Sequence, residues 1–208
     1  MQKHLLHMKL IAQLRKDWRL LQETLPKENS KIECFIEEES AERLISFLIV
    51  AEDHRYKYHI GFDIIAIIRA CFKLLINGKK EGASTIEQQL VRVVTNDYRY
   101  TLNRKIKEII LAILLKRIIN KKRIALIYLN IAYYGTKYQS LDAILEKFDL
   151  TKSDHIDNRT CAEIIARLKY PEPLSYNFNR LLQINKRVQH ILYLYCLLYT
   201  SDAADDKA

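Results

Sequence analysis

Residues 102–132 read LNRKIKEIILAILLKRIINKKRIALIYLNIA. No Gly or Pro interrupts them, and Leu111, Leu115 and Ile118 recur at the i, i+4, i+7 spacing that lines one face of a helix. Two helical patterns follow, 102–120 and 121–132, the first ending on Asn120. Working outward, the same periodicity marks 40–54, 62–77, 84–95, 139–147, 159–168 and 179–195. The whole chain of 208 residues holds only 4 Gly and 3 Pro, too few for a turn-rich β-sandwich. The expected fold class is all-α. The breaks near Gly78–Gly82, Asn96–Tyr100 and Tyr170–Tyr176 are short enough to be loops within one body.

Lys and Arg outnumber Asp and Glu by 34 to 25, a net charge of +9. A phosphate-bearing partner therefore belongs among the candidates, whether nucleic acid, anionic lipid or a pyrophosphate. The basic residues are spread along the chain and form no single arm or recognition helix, which argues against nucleic acid. Residues 1–24 place Leu10 or Ile11, Leu14, Trp18 and Leu21 on one helical face with cations elsewhere. That suits either an anionic membrane surface or packing on the chain's own body. A polar break is expected at Leu25–Lys31. No stretch reaches the roughly 20 apolar residues of a membrane span, and no signal peptide is read at the start.

The segment Cys196–Asp205, CLLYTSDAAD, matches the translation of a transposase-type sequencing adapter. Cys196–Ala208 is therefore set apart from the fold, which leaves 33 basic and 22 acidic residues, a net +11. The expected organisation is an amphipathic segment over 1–34, a main domain over 35–195 and the foreign tail over 196–208. Cys34, Cys71 and Cys161 are too widely spaced for a metal knuckle, and the expectation is three buried core thiols.

Four polar clusters stand out, three of them beside Gly61, Gly82 and Gly135. In EDHRYKYHIGFD, residues 52–63, Glu52 ends an apolar helix, where partial desolvation and the helix dipole favour its protonated form and suit it to general base chemistry. In GASTIEQQLVR, residues 82–92, Ser84 and Glu87 form a capping box after a Gly82 turn, whereas Gln88, Gln89 and Arg92 suit a sugar and a phosphate near a helix N-terminus. In RKIKE, residues 104–108, Arg104 and Glu108 are i,i+4 partners. In KKRIALIYLNIAYYG, residues 121–135, Lys121 and Asn130 are the polar exceptions.

In this order and at these spacings the clusters resemble the motifs of the peptidoglycan glycosyltransferases, family 51 of the glycosyltransferases. The motif E-D-x-x-F-x-x-H-x-G-x-D falls on Glu52, Asp53, His59, Gly61 and Asp63, with Tyr56 as the aromatic. G-x-S-T-I-x-Q-Q falls on Gly82, Ser84, Thr85, Ile86, Gln88 and Gln89. R-K-x-x-E-x-x-x-A-x-x-L falls on Arg104, Lys105, Glu108, Ala112 and Leu115, and K-x-x-I-x-x-x-Y-L-N-x-x-x-x-G on Lys121, Ile124, Tyr128, Leu129, Asn130 and Gly135. A weaker fifth element lies in Ala162–Pro173 and Lys186–Leu192. Glu87 stands where Thr is usual, Arg92 where Lys is, Val93 where Asn is, and Lys116 and Leu126 replace later glutamates. Tyr100 stands where an Arg is often found, with Arg99 one place earlier.

The resemblance implies a lysozyme-like helical domain with a small membrane-associating lobe around 62–80, and growth of peptidoglycan glycan from lipid II with release of undecaprenyl pyrophosphate. It implies catalytic roles for Glu52 and Glu108, and substrate binding by Asp53, His59, Ser84, Thr85, Gln88, Gln89, Arg92, Arg104, Lys105 and Asn130. It also implies a divalent cation, Mg or Mn, with no assigned ligands and no organic cofactor. The implied partners are lipid II, the undecaprenyl-pyrophosphate-linked glycan and a membrane surface, at the outer face of a bacterial cytoplasmic membrane. A non-catalytic lipid II-binding scaffold and a polymerase of another lipid-linked glycan are the alternatives.

Overall fold

A computed structural model describes residues 2–33, 37–78, 82–151 and 153–205. All regular structure among them is helical: α1 (Gln2–Glu33), α2 (Glu38–Glu52), a 3₁₀ turn (Tyr56–Tyr58), α3 (Ile64–Asn77), α4 (Ile86–Thr95), α5 (Leu102–Ile118), α6 (Lys121–Ile131), α7 (Leu141–Glu146), α8 (Asn158–Lys169) and α9 (Phe178–Asp205). The fold is all-α. The chain divides into two compact units, Met1–Ser30 with Arg55–Tyr128, and Lys31–His54 with Leu129–Ala208.

In the first unit α4 packs on α5, and Ile86, Leu90, Leu111, Ala112 and Leu115 are fully buried. Complete burial of one such leucine contributes about 1.5–3 kcal/mol. Helix α1 belongs to this unit as far as Ser30. Leu21 and Leu25 are buried, and Asp17, also buried, sends Oδ2 to within 2.5 Å of the Lys107 ammonium, which lies 3.0 Å from Asp97 Oδ2. Own-body packing therefore accounts for the inner face of α1, while Met8 and Ile11 remain exposed. The expected break at Leu25–Lys31 does not occur, and α1 runs on to Glu33 with Pro26 inside it. Pro26 removes one backbone donor, a cost of about 3 kcal/mol in a helix interior. Burial of Leu21 and Leu25 on the preceding turn opposes that cost.

Helix α3 starts at Asp63, whose Oδ1 accepts from the Ile65 and Ala66 amides, and ends at Gly78 in the left-handed region, φ 62°. It has no buried residue, and Ile64, Ile65, Ile68, Phe72, Leu74, Leu75 and Ile76 are exposed. Cys71 shares that exposure, which corrects the expectation of three core thiols. Cys34 lies outside the described residues. Cys161 is buried, and loss of hydration pushes its thiol up to about 12.

In the second unit α8 packs on α9, and α2 packs on both. Leu44, Phe47 and Leu48 of α2, Ile164 and Ile165 of α8, and Val188 and Ile191 of α9 form its apolar interior. Phe47 stacks on Tyr195, with ring centroids 4.0 Å apart. Gly135, at φ 158°, lies against Glu172, where a Cβ would fall 2.7 Å from the backbone oxygen. Helix α9 passes Tyr195 and continues to Asp205 without a break. Among the described residues no helix is long and apolar enough to cross a membrane.

Candidate active site

The predicted polar residues divide between the two units. Glu108, Arg92, Arg104, Lys105, Ser84, Thr85, Gln88, Gln89 and His59 belong to the first, and Glu52, Asp53 and Asn130 to the second.

The first unit builds a cationic cluster around one carboxylate. Glu108, in the second turn of α5, is 1% exposed. Arg92 of α4 donates to it through Nε at 2.8 Å and Nη2 at 3.2 Å, the forked arrangement that only a guanidinium supplies. Arg104, one turn earlier on α5, donates to Glu108 Oε1, so the local i,i+4 pair forms as the spacing predicts. The Lys105 ammonium stands 3.8 Å from Oε2 and donates to Ser84 Oγ at 2.8 Å and Gln88 Oε1 at 2.5 Å. Three cations thus face one buried carboxylate, a formal excess of two positive charges. Desolvation lowers the Lys105 ammonium to about 8; attraction to Glu108 opposes this, and repulsion from Arg92 and Arg104 adds to it. The Arg92 guanidinium is also disfavoured by burial, but its bonds to Glu108 raise it above the usual range.

The loop carrying His59 is shaped around Gly61. Gly61 has φ 108°, and a Cβ there would lie 2.6 Å from the Ala112 carbonyl oxygen, so only glycine lets the loop meet α5. Its carbonyl accepts from Thr85 Oγ1 at 2.8 Å and Gln88 Nε2 at 3.3 Å, and its amide donates to His59 Nδ1 at 3.2 Å. Thr85, Gln88 and His59 are buried and act on the loop. The bonds that the structure gives them hold the Gly61 loop against α4 and α5. Gly82 has no positive φ and open space where a Cβ would stand, so the expected glycine turn is not what starts α4.

The cap is also displaced by one residue. Thr85, not Ser84, is the N-cap of α4 and accepts from the Gln88 amide at 3.3 Å. Glu87 does not close a capping box. It is fully buried and meets the Lys121 ammonium at 3.0 Å. Lys121 also donates to the Tyr56 carbonyl and lies 4.1 Å over the Tyr56 ring, while Tyr56 Oη donates back to the Lys121 carbonyl at 2.8 Å. These two motif residues therefore brace one another. Gln89 accepts from Tyr128 Oη at 2.5 Å.

In the second unit Glu52 is the last residue of α2, and Asp53 caps it with its amide on the Ile49 carbonyl at 2.9 Å. Arg187 of α9 places Nη2 3.2 Å from Glu52 Oε1 and 2.6 Å from the Ala51 carbonyl. This guanidinium supplies a counter-charge at the negative end of α2. It falls within the weaker fifth sequence element, whose spacing gives no hint of Glu52 as its partner. Asp53 and Asn130 are buried.

A family model described as transglycosylase matches residues 19–195. Among curated proteins the chain is 39% identical over 112 residues to penicillin-binding protein 1A of Vibrio cholerae, covering 53% of this chain and 14% of that protein. It is 34% identical over 142 residues to penicillin-binding protein 1A of Rickettsia prowazekii, covering 65% and 18%. Its identity to penicillin-binding protein 1A of Escherichia coli is 33% over 146 residues, covering 70% and 17%. The chain thus spans less than a fifth of the length of these relatives. The matched region takes in every motif residue around Glu108, Gly61 and Glu52, and the chain belongs to the transglycosylase family.

Proposed function

We propose that this chain polymerises peptidoglycan glycan strands from lipid II, forming β-1,4 bonds and releasing undecaprenyl pyrophosphate. The observation that carries the reading is the excess positive charge around Glu108, which suits a pyrophosphate dianion developing as it leaves. Glu52 takes the proton of the acceptor's 4-hydroxyl as that oxygen attacks the anomeric carbon of the lipid-linked donor. The bond from that carbon to the pyrophosphate oxygen breaks, its electron pair departs with the pyrophosphate, and the configuration inverts. Arg92, Arg104, Lys105 and Ser84 receive the phosphate oxygens, and Glu108 fixes the three cations. Gln89 offers its amide to a sugar. Thr85, Gln88, His59, Asp53 and Asn130 are positioning residues, and Arg187 orients Glu52.

The groups around Glu108 do not fit a divalent cation. Both carboxylate oxygens are already engaged by cations, and a metal there would meet three like charges. No step is assigned to one.

The exposed apolar residues of α3 meet the lipid that holds the substrate, at the outer face of the cytoplasmic membrane. The test is incubation of the purified chain with lipid II, following both polymer and released undecaprenyl pyrophosphate. Both should appear in equal measure per bond formed. A folded chain that binds lipid II and yields neither would replace this reading with a scaffold.

A further inference from the structure

A pocket of about 590 Å³ lies in the first unit between the 3₁₀ turn and the turn joining α5 to α6. Lys57 enters it from one side, and Lys116 and Arg117 from the last turn of α5. None of its lining residues is acidic. Lys121 also lines it but is already neutralised by the buried Glu87. Among the described residues no carboxylate pairs with Lys57, Lys116 or Arg117. Cations in the last turn of a helix are partly explained by the helix dipole, and that would suffice for Lys116 and Arg117 alone. It does not explain Lys57, which comes from a different element. Nor does it explain Lys116, which stands where the resembling family carries a glutamate.

Lys116 lies eight residues along α5 from Glu108, about 12 Å at the helical rise. The pocket is therefore separate from the cluster around Glu108. His59 and Asn120 also line it, and three of its apolar residues stand in solvent: Tyr58 is 79% exposed, Ile60 56% and Ile118 57%. Ile118 and Ile119 also line a second cavity, of about 460 Å³, with Leu25 and Pro26 of α1. That cavity is mixed, with Gln22, Asn120 and Arg123 beside its apolar residues, so the apolar rim of the cationic pocket is Tyr58, Ile60 and Ile118. A bare phosphate has no use for such a rim, whereas an anionic amphiphile matches both parts, with a tyrosine suited to the boundary between them.

We infer that the α5–α6 turn holds a second lipid site, in which Lys57, Lys116 and Arg117 bind the phosphate headgroup of an anionic phospholipid and Tyr58, Ile60 and Ile118 lie against its apolar portion. The pocket borders the positioning residue His59, but Lys57, Lys116 and Arg117 take no part in the roles assigned to Glu52 and Glu108. It would set the orientation in which the chain rests on an anionic membrane.

The experiment is vesicle binding by the full chain, comparing phosphatidylcholine vesicles with vesicles that also contain phosphatidylglycerol. A cation at an anionic surface contributes roughly a fivefold gain, so three should account for about a hundredfold preference. The Lys57→Gln/Lys116→Gln/Arg117→Gln variant should lose most of that preference and keep its binding to phosphatidylcholine and its thermal unfolding. A variant with the same charge removed elsewhere in the unit, Arg15→Gln/Lys16→Gln/Arg19→Gln, should lose only a few-fold. Equal losses in the two variants would mean diffuse surface charge and overturn the site. Displacement of the wild-type chain by millimolar inorganic phosphate at constant ionic strength would reassign the pocket to free phosphate and overturn the lipid.

Discussion

Replacing Glu108 by Gln isolates what the buried carboxylate does for its three cations. The side chain keeps its shape while the formal excess rises from two positive charges to three. Breaking a buried ion pair by removing one partner costs about 3–5 kcal/mol. The lower end applies, because Arg92 and Lys105 keep 25% and 28% of their side-chain surface in solvent. About 3 kcal/mol in a chain of this length corresponds to a fall of roughly 6–12 °C in Tm.

The same substitution changes the pH dependence in a defined direction. Glu108 is the group that opposes the depression of Lys105, so its loss must move that ammonium below its present value of about 8. If charged Lys105 stabilises the leaving group, kcat/KM of the wild type falls above pH 8 by about tenfold per unit, and in Glu108→Gln the fall begins at lower pH. Lys105→Arg should abolish the limb, since a guanidinium stays charged. For stability the sign is the reverse. The folded-state value lies below the ordinary 10.5, so between about 8 and 10.5 the unfolded chain binds more protons. Lys105 therefore makes stability rise with pH across that window. The assay is the initial rate of lipid II polymerisation across pH 6.5 to 10, alongside thermal unfolding at each pH. A wild-type profile flat through pH 9, or a limb unmoved by Glu108→Gln, would refute the assignment of Lys105 to the leaving group.

Four other outcomes are expected. Glu52→Gln should stay folded and bind lipid II yet turn over at least about a hundredfold more slowly, whereas Arg187→Ala should lose less and add nothing when combined with Glu52→Gln; independent losses would separate the two groups. Arg92→Ala should reduce kcat far more than Arg92→Lys, because lysine keeps the charge and loses only the fork on Glu108; equal rates would place the charge elsewhere. Asp17→Ala leaves the buried Lys107 with Asp97 alone and should lower stability by roughly 3 kcal/mol in urea unfolding, and an unchanged midpoint would show that α1 is not held by that pair. Ile68→Glu/Phe72→Glu on α3 should weaken binding to phosphatidylcholine vesicles without changing its salt dependence, and unchanged sedimentation would remove α3 from the membrane contact.

Periodicity locates helices well here because each needs only its own residues, and the expected 62–77, 84–95 and 121–132 appear as Ile64–Asn77, Ile86–Thr95 and Lys121–Ile131. It fails where the deciding partner lies far along the chain. In α5 the apolar Ile106 and Ile110 are exposed while Lys107 between them is buried, a reversal produced by Asp17, 90 residues earlier in sequence. Ser84 and Thr85 are equally good caps by residue type, and the choice falls to Thr85 because Lys105 engages Ser84 and Lys121 draws Glu87 inward. The same distinction divides the candidate site. Arg104 and Glu108 share a helix, so their pairing is legible from a spacing of four. Arg187 and Glu52 stand 135 residues apart, and no local pattern links them. The departures from the family pattern follow this division as well. Glu87 in place of threonine brings a buried charge that Lys121 answers, and Arg92 in place of lysine brings a second donor that Glu108 accepts. Each such departure is a change at one end of a long-range contact, and its meaning becomes physical only when the other end is known.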